Sequence, residues 1–552
     1  MAATLVLKSS RRSTDAATIS ATIHRIFRRH ANVNGTNERL RSSVYLVALL
    51  LGLLLLATRT VAQEPAASAR DAAMSERVDT LLEEQLRASG WPAAESCSDE
   101  TFLRRAHLDL TGTLPAASEV VEFSRSVLAD KRSRLIDRLV GSPAAASHLA
   151  QTWAGWMLPE QDSPELQLGR QGLQDWLRNR FAENLRYDRL ISDLLVSTGP
   201  PQRGPTAFFV SLEGKPEKIA AKTSRVFLGL QLDCAECHDH PFDAWKQTDF
   251  WGFAAYFAQM SIDSETAMQN AGDVTDTGTG EVLLPGSEIV VPPRPLVATG
   301  FSGLSSGTRR QQLALWLTAR ENPYVARAAV NRVWGLLFGR GLIEPIDDMR
   351  NIQMASNPQL LRELSEYFAE SGYNLRRLLS LLAKTRAYAR SGVHVSGAPP
   401  EGSYAIMPAK PLTENQMTNS LAHVARQVLG EDNAGAQAAL QQQLGKLRGD
   451  ASEAKLGIVS ALVTLHGEAF DRVSREQSSR LLRALEAPYM DERQQVRWLF
   501  LATLAREPSQ AEQQAFSQLL PTQSDTASAK LAQWRSDLLW ALINSTEFAM
   551  TP

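Results

Sequence analysis

Cysteine is nearly missing from this chain, with three in 552 residues. That excludes the disulfide framework on which small exported domains rely. One of the three, Cys97, stands alone in Glu95-Ser96-Cys97-Ser98-Asp99 and reads as an unpaired thiol near the surface or at a core edge. An excess of one charge is missing too. The net charge is −2, and 21% charged against 44% apolar residues is an ordinary globular balance. Without a basic surplus in the body of the chain there is no electrostatic footprint for a phosphate backbone, so nucleic acid is not an expected partner. No nucleophile elbow, phosphate-binding glycine loop or zinc-protease helix occurs, and a hydrolase reading has no specific support. Fixed-period repeats and a βαβ pattern are also absent.

The near-zero total hides an asymmetry. Residues 1–62 carry nine Lys/Arg against Asp15 and Glu38, a net of +7, which leaves −9 for the rest. Arg39 and Arg41 precede Val44–Ala57, fourteen uninterrupted apolar or small residues. That is short of the roughly 20 residues that span a bilayer. Thr60-Val61-Ala62 offers the small residues of a cleavage site before Gln63. Residues 1–62 therefore read as an export signal or a single membrane anchor. Either way the remainder lies outside the cytoplasm (periplasm, envelope or medium), because positive charge stays inside. Membrane contact is expected only through this segment.

At 552 residues the chain is long for one core, and two or more domains are expected. Residues 63–75 read as a flexible lead. Helical periodicity begins at Ser75, with Val78, Leu81, Leu82 and Leu86 on one face. It continues through Glu100–Leu110, Ala117–Ser126, Lys131–Val140, Gly172–Leu185, Asp188–Val196 and Pro216–Leu230. Residues 263–308 are rich in Gly, Thr, Asp and Pro, with short β-branched runs at Val282–Leu284 and Ile289–Val291. They read as a linker with at most one small hairpin. Helical patterning resumes at residue 309 and runs to about 549. The expected fold is mainly α: two helical lobes, 76–262 and 309–549, joined by that linker.

The chemistry concentrates in Cys234-Ala235-Glu236-Cys237-His238. Covalent haem attachment needs two thiols for two vinyl groups and an imidazole for the iron, and Cys-x-x-Cys-His supplies them on one turn. Pro241 stops further helix, and Asp249 is positioned to cap a new one. Phe250, Phe253 and Phe257 then share a face, either walling a porphyrin or simply forming core. Three readings fit the motif. One is haem c, with Cys234 and Cys237 as thioether anchors and His238 as axial ligand. Another is zinc held by Cys234, Cys237, His238 and His240, strained for a tetrahedron. The last is a disulfide or a structural turn without cofactor. Met260 and His107 are candidate distal ligands to a haem iron. Asn331, Arg332, Arg340, Glu344, Asp347, Asp348 and Arg350 form a second polar cluster, which reads as a salt-bridged helix–loop junction ahead of an acid/base site.

At these residues a resemblance becomes visible. Thr223–Phe250 (TSRVFLGLQLDCAECHDHPFDAWKQTDF) and Arg104–Gly112 (RRAHLDLTG) resemble the cytochrome-c-like domain of unknown function of planctomycete secreted proteins. Asn322–Trp334 (NPYVARAAVNRVW), Phe338–Arg350 (FGRGLIEPIDDMR), Ser371–Leu375 (SGYNL) and Leu539–Phe548 (LWALINSTEF) resemble its partner, a planctomycete-specific C-terminal domain. The resemblance implies 76–262 as the first domain and 309–549 as the second. It implies no established biochemical role, because the family is named for its haem-like motif. Many relatives carry a separate cytochrome-c domain ahead of this pair, whereas here the export-type segment leads straight into the first lobe. The functional expectation is an exported c-type haem protein for electron transfer or redox sensing, meeting a redox partner protein. The alternative is a non-enzymatic extracellular or envelope scaffold.

Overall fold

The helix Asp99–Thr111 sets the geometry of the rest. Ser98 caps it, accepting from the Thr101 amide, and Gly112 ends it in the left-handed region at φ 68°. A side chain at Gly112 would also collide with the His148 ring, so only glycine serves there. Phe102 through Thr111 are all buried, including Arg104, Arg105, His107 and Asp109. Helices Ala117–Arg125, Lys131–Val140 and Pro143–Met157 pack around it, together with the strand Met550–Thr551.

The computed structural model describes residues 68–552 except 160–163, 201–203, 242, 263–271, 298–306, 430–479, 488 and 521–526. The export-type segment lies outside the described residues. Among these residues the protein is mainly α, with strands only in two-stranded pairs. Most expected helices form within a few residues of their predicted bounds. Pro143–Met157 is an addition: its alanines are spread around most of the circumference and give weak periodicity. Residues 68–75, read as a flexible lead, are helical and continue to residue 89. Asp71 there pairs with Arg377 and Tyr367, and Arg77 forks the Glu363 carboxylate at 2.8 and 2.9 Å. Asp79 accepts the amides of Arg386 and Ala387 at 2.8 and 3.0 Å.

The helical segments on the two sides of the linker pack into a shared interior. One continuous apolar core takes side chains from Val78 to Ala505, mixing both sides of the linker. Phe253 meets Trp316 edge-on at 6.2 Å, and the Arg332 guanidinium lies over the Trp156 ring at 4.9 Å. The described linker residues hold one strand pair, as expected, and lend a strand to another whose partner precedes the linker. The expected pair forms, with β3 (Val282–Leu283) against β4 (Val290–Val291). The other is β1 (Met260–Ile262) against β2 (Val274–Asp276). Arg310, 1% exposed, forks Asp276 through two 2.8 Å bonds and donates to the carbonyls of Leu195 and Ser197. A buried guanidinium needs such acceptors, and supplying them draws the linker into the body.

A third pair, β5 (Lys410–Pro411) with β6 (Met550–Thr551), brings the end of the chain to the Asp99–Thr111 helix. Arg104 donates to the carbonyls of Thr503, Glu547, Phe548 and Met550 at 3.0–3.2 Å. Arg105 donates to the carbonyls of Pro552 and Arg390 at 2.7 and 3.0 Å, and also to that of Tyr388. Asp109 receives Lys410 Nζ at 2.6 Å and the Tyr388 hydroxyl at 2.9 Å. Lys410 spends its other two protons on the carbonyls of Leu336 and Leu337. Burial holds the Asp109 carboxyl above its ordinary value and Lys410 below its own, each opposed by the other's charge.

Two predictions follow from this network. Arg105→Met strands several buried carbonyls and should cost about 3 kcal/mol or more in urea unfolding. Arg134→Met, on an exposed side chain, should cost less than about 0.5 kcal/mol. The second concerns His148, whose burial, with Lys410's charge adding, pulls the imidazole down to about 4 against the opposing backbone of Asp109. The unfolded chain takes up that proton near the ordinary value of 6.5 and the folded chain only near 4. Stability from this group is therefore complete above about 6.5 and declines as pH falls towards 4. Unfolding free energies measured across that window should lose this part of their slope in His148→Leu.

Candidate functional site

The chain enters the Cys–Cys–His motif from the helix Pro216–Thr223, which widens into a π-turn over Ser224–Leu228 and ends at Gly229, φ 65°. Helix ends leave carbonyls without partners. Here Arg332 donates to those of Arg225 and Val226 at 2.9 and 3.1 Å, and the Met349 amide donates to Gly229 at 2.7 Å. Leu230 and Leu232 are buried and anchor the following backbone. Asp233–Glu236 then forms a 3-10 turn, and Cys237 continues it in the right-handed helical region. With three residues per turn, positions three apart fall on one side. Cys234 and Cys237 accordingly face outward, while Ala235 is fully buried beneath them.

Both thiols are exposed and unbonded. His238 is exposed as well. Its Nδ1 stands 2.8 Å from the carbonyl of Asp239. A carbonyl only accepts, so Nδ1 carries the proton, and in the neutral ring the Nε2 lone pair is left outside this bond. The turn is held from behind. Gln247 Nε2 donates to the carbonyls of Glu236 and Cys237 at 3.1 and 3.0 Å, and Trp251 Nε1 donates to Glu236 at 3.0 Å. The His240 amide donates to the Trp245 carbonyl at 2.8 Å, closing the loop around Pro241. The rim is acidic: Asp233 pairs with Arg225 at 2.7 Å, and burial followed by the charges of Glu217 and Asp233 raises the Glu236 carboxyl.

The helix after the motif is Gln247–Ala254, capped at Lys246. Asp249 is therefore not the capping residue. It sits at the third helical position and accepts the Lys246 amide at 2.9 Å. Phe250, Phe253 and Phe257 are at most 1% exposed. Phe253 and Phe257 lie 6.4 Å apart, and Phe257 lies 6.5 Å from Phe209. These phenylalanines are core, not a porphyrin wall. Met260 lies in β1 opposite Asp276. His107 is buried with Nε2 3.2 Å from Glu119. Among the described residues, no group of three or more His, Cys, Asp or Glu is gathered to hold a metal ion. Cys97 is buried, its Sγ 3.7 Å from Arg105 Nη1.

The second polar cluster disperses into structural roles. Arg350 forks Asp348, Gln231 and Arg225 meet Asp347, Glu344 accepts the Gly341 amide, and Arg340 pairs with Glu401. Asn331 spans the loop beyond its own helix, bonding the backbone of Ile343 and Ile346 at 3.0–3.1 Å. Gln247 and Trp251, the groups that brace the motif, carried no sequence signal of that role. Their partners lie 10–15 residues earlier, beyond any local periodicity.

Residues 77–262 match the family PSCyt2, described as a protein of unknown function (DUF1549). Residues 309–456 match PSD1, also described as a protein of unknown function (DUF1553). The chain carries a PSCyt2 segment followed by a PSD1 segment. No curated protein and no solved structure matches it. The exposed turn lies in the PSCyt2 segment, but Arg332 and Met349, which hold the backbone leading into it, belong to the PSD1 segment. Thr503 and Phe548, which receive Arg104, lie beyond both matches.

Exposure makes the thiols distinguishable. With a water-soluble disulfide reagent, the metal-free native chain should react rapidly at Cys234 and Cys237 and only after unfolding at Cys97, counted by mass spectrometry of the labelled peptides. Rapid native labelling of Cys97 would contradict its burial.

Proposed function

We propose that the chain is an exported carrier of a covalently attached haem c, working in electron transfer or redox sensing. One observation supports this above the others: two unbonded thiols share an exposed turn with an imidazole whose Nδ1 is already tied to the Asp239 carbonyl. Cys234 and Cys237 would supply the thioether sulfurs, and His238 Nε2 the axial nitrogen. Haem, when bound, supplies one-electron chemistry. The chain's own residues present the turn and brace it through Gln247 and Trp251. The donor set fits attachment, whereas Phe250, Phe253 and Phe257 are spent in the core and are not available to enclose a macrocycle. An attachment point at the surface suits electron exchange with a partner protein. The basic, then apolar segment ending near residue 62 supports export or a single anchor. Among the described residues no helix is long and apolar enough to cross a membrane.

A second reading rests on the same bracing. The three bonds from Gln247 and Trp251 close the turn without any cofactor, as a non-enzymatic extracellular or envelope scaffold would require, with zinc or nothing at the thiols. The test is absorbance of the mature protein purified from a host that attaches haem c. A Soret band surviving acid–acetone extraction is expected, absent from Cys234→Ser/Cys237→Ser and shifted in His238→Ala. A colourless protein from that host rules out the carrier, and bound zinc would then select the second reading.

A further inference from the structure

Beyond the helix Pro323–Phe338, residues 399–411 fold back over its end and leave a cavity of about 560 Å³. That volume falls within the range of small-molecule sites. Phe338, Tyr404, Pro400 and Ile406 give it an apolar lining. Trp334 stacks on Phe338 at 4.1 Å and meets Tyr404 edge-on at 5.2 Å, so this wall is braced from within the core.

Two polar features in the lining lack a strong partner. Arg340 is 36% exposed, and its ion-pair partner is Glu401, 92% exposed, at 2.8 Å. An ion pair that open to water is weak. An acid group from solvent can replace Glu401, provided its carrier gains apolar contact in the same event. Thr551 is 1% exposed and its hydroxyl has no hydrogen-bond partner, yet it lines the same cavity. A buried hydroxyl in that state is costly, and a ligand oxygen would relieve it. Lys410 and Asp109 also line the cavity but satisfy one another and the helix carbonyls, so they offer no free nucleophile.

We propose that this cavity binds a small organic anion with an apolar, ring-sized body, its acid group paired with Arg340 and its body against Phe338 and Tyr404. The proposal is independent of the Cys–Cys–His reading. The test is fluorescence titration of the full chain with 1-anilinonaphthalene-8-sulfonate and with its neutral counterpart N-phenyl-1-naphthylamine. The anionic probe should bind saturably. Arg340→Gln should weaken it about fivefold or more and Glu401→Gln tighten it about twofold, with the neutral probe nearly indifferent to both. Ala409→Trp, placed on an exposed lining residue, should block both probes. Should that variant misfold by circular dichroism, the opposed responses of the two charge variants decide. Absence of a saturable site, equal anion affinity in the two charge variants, or equal losses for the neutral probe would overturn the proposal.

Discussion

A guanidinium enclosed in an apolar core calls for acceptors for its N–H groups, and in the helix Asp99–Thr111 two adjacent arginines find them on distant backbone carbonyls, with only Arg104 Nε and Arg105 Nη2 left over. Both reach backbone carbonyls contributed by chain some 280 to 450 residues later, from Tyr388 to Pro552. Asp109, about one turn further along, imposes the complementary requirement and meets it with Lys410 and Tyr388. The helix can therefore be buried only when the later chain has arrived. Burial of the first part and placement of the last are one event.

The same device recurs at two other contacts between the two family segments. Arg310 ties the first PSD1 helix to β2 and to the end of the helix Tyr187–Leu195. Arg332 takes the carbonyls that the π-turn and its helix leave over. In each case an arginine from the second segment satisfies backbone that the first cannot satisfy by itself. The fork-shaped guanidinium suits this, since it serves several carbonyls from one stem. The two segments consequently share a core, although their family matches are separate.

This coupling reaches the exposed turn. The backbone before Cys234 is held by Arg332 and Met349 from the second segment, and the backbone after it by Gln247 and Trp251 from the helix that follows. Rigid support beneath solvent-facing thiols is the arrangement expected of a presented group. The cavity beside Phe338 is built by comparable means, with a rigid aromatic wall under a loosely paired charge.

Sequence alone determined the mainly helical character, because apolar spacing at Val78–Leu86, Lys131–Val140 or Leu375–Arg386 is a local property that survives any tertiary arrangement. It also singled out Cys234, Cys237 and His238, since scarce residues in a fixed spacing need no fold to be noticed. Helix Pro143–Met157 escaped it, as alanines on most faces blur the period. Only the tertiary structure decided that Phe250, Phe253 and Phe257 are core, that a linker strand pairs with Met260–Ile262 ahead of it, and that the helical segments on both sides share one interior. Those outcomes rest on contacts such as Arg310 with Asp276 and Arg104 with Phe548, whose partners are 34 and 444 residues apart. Pattern reading extends over a few turns of helix, whereas a buried charge is satisfied by whatever the folded chain brings to it.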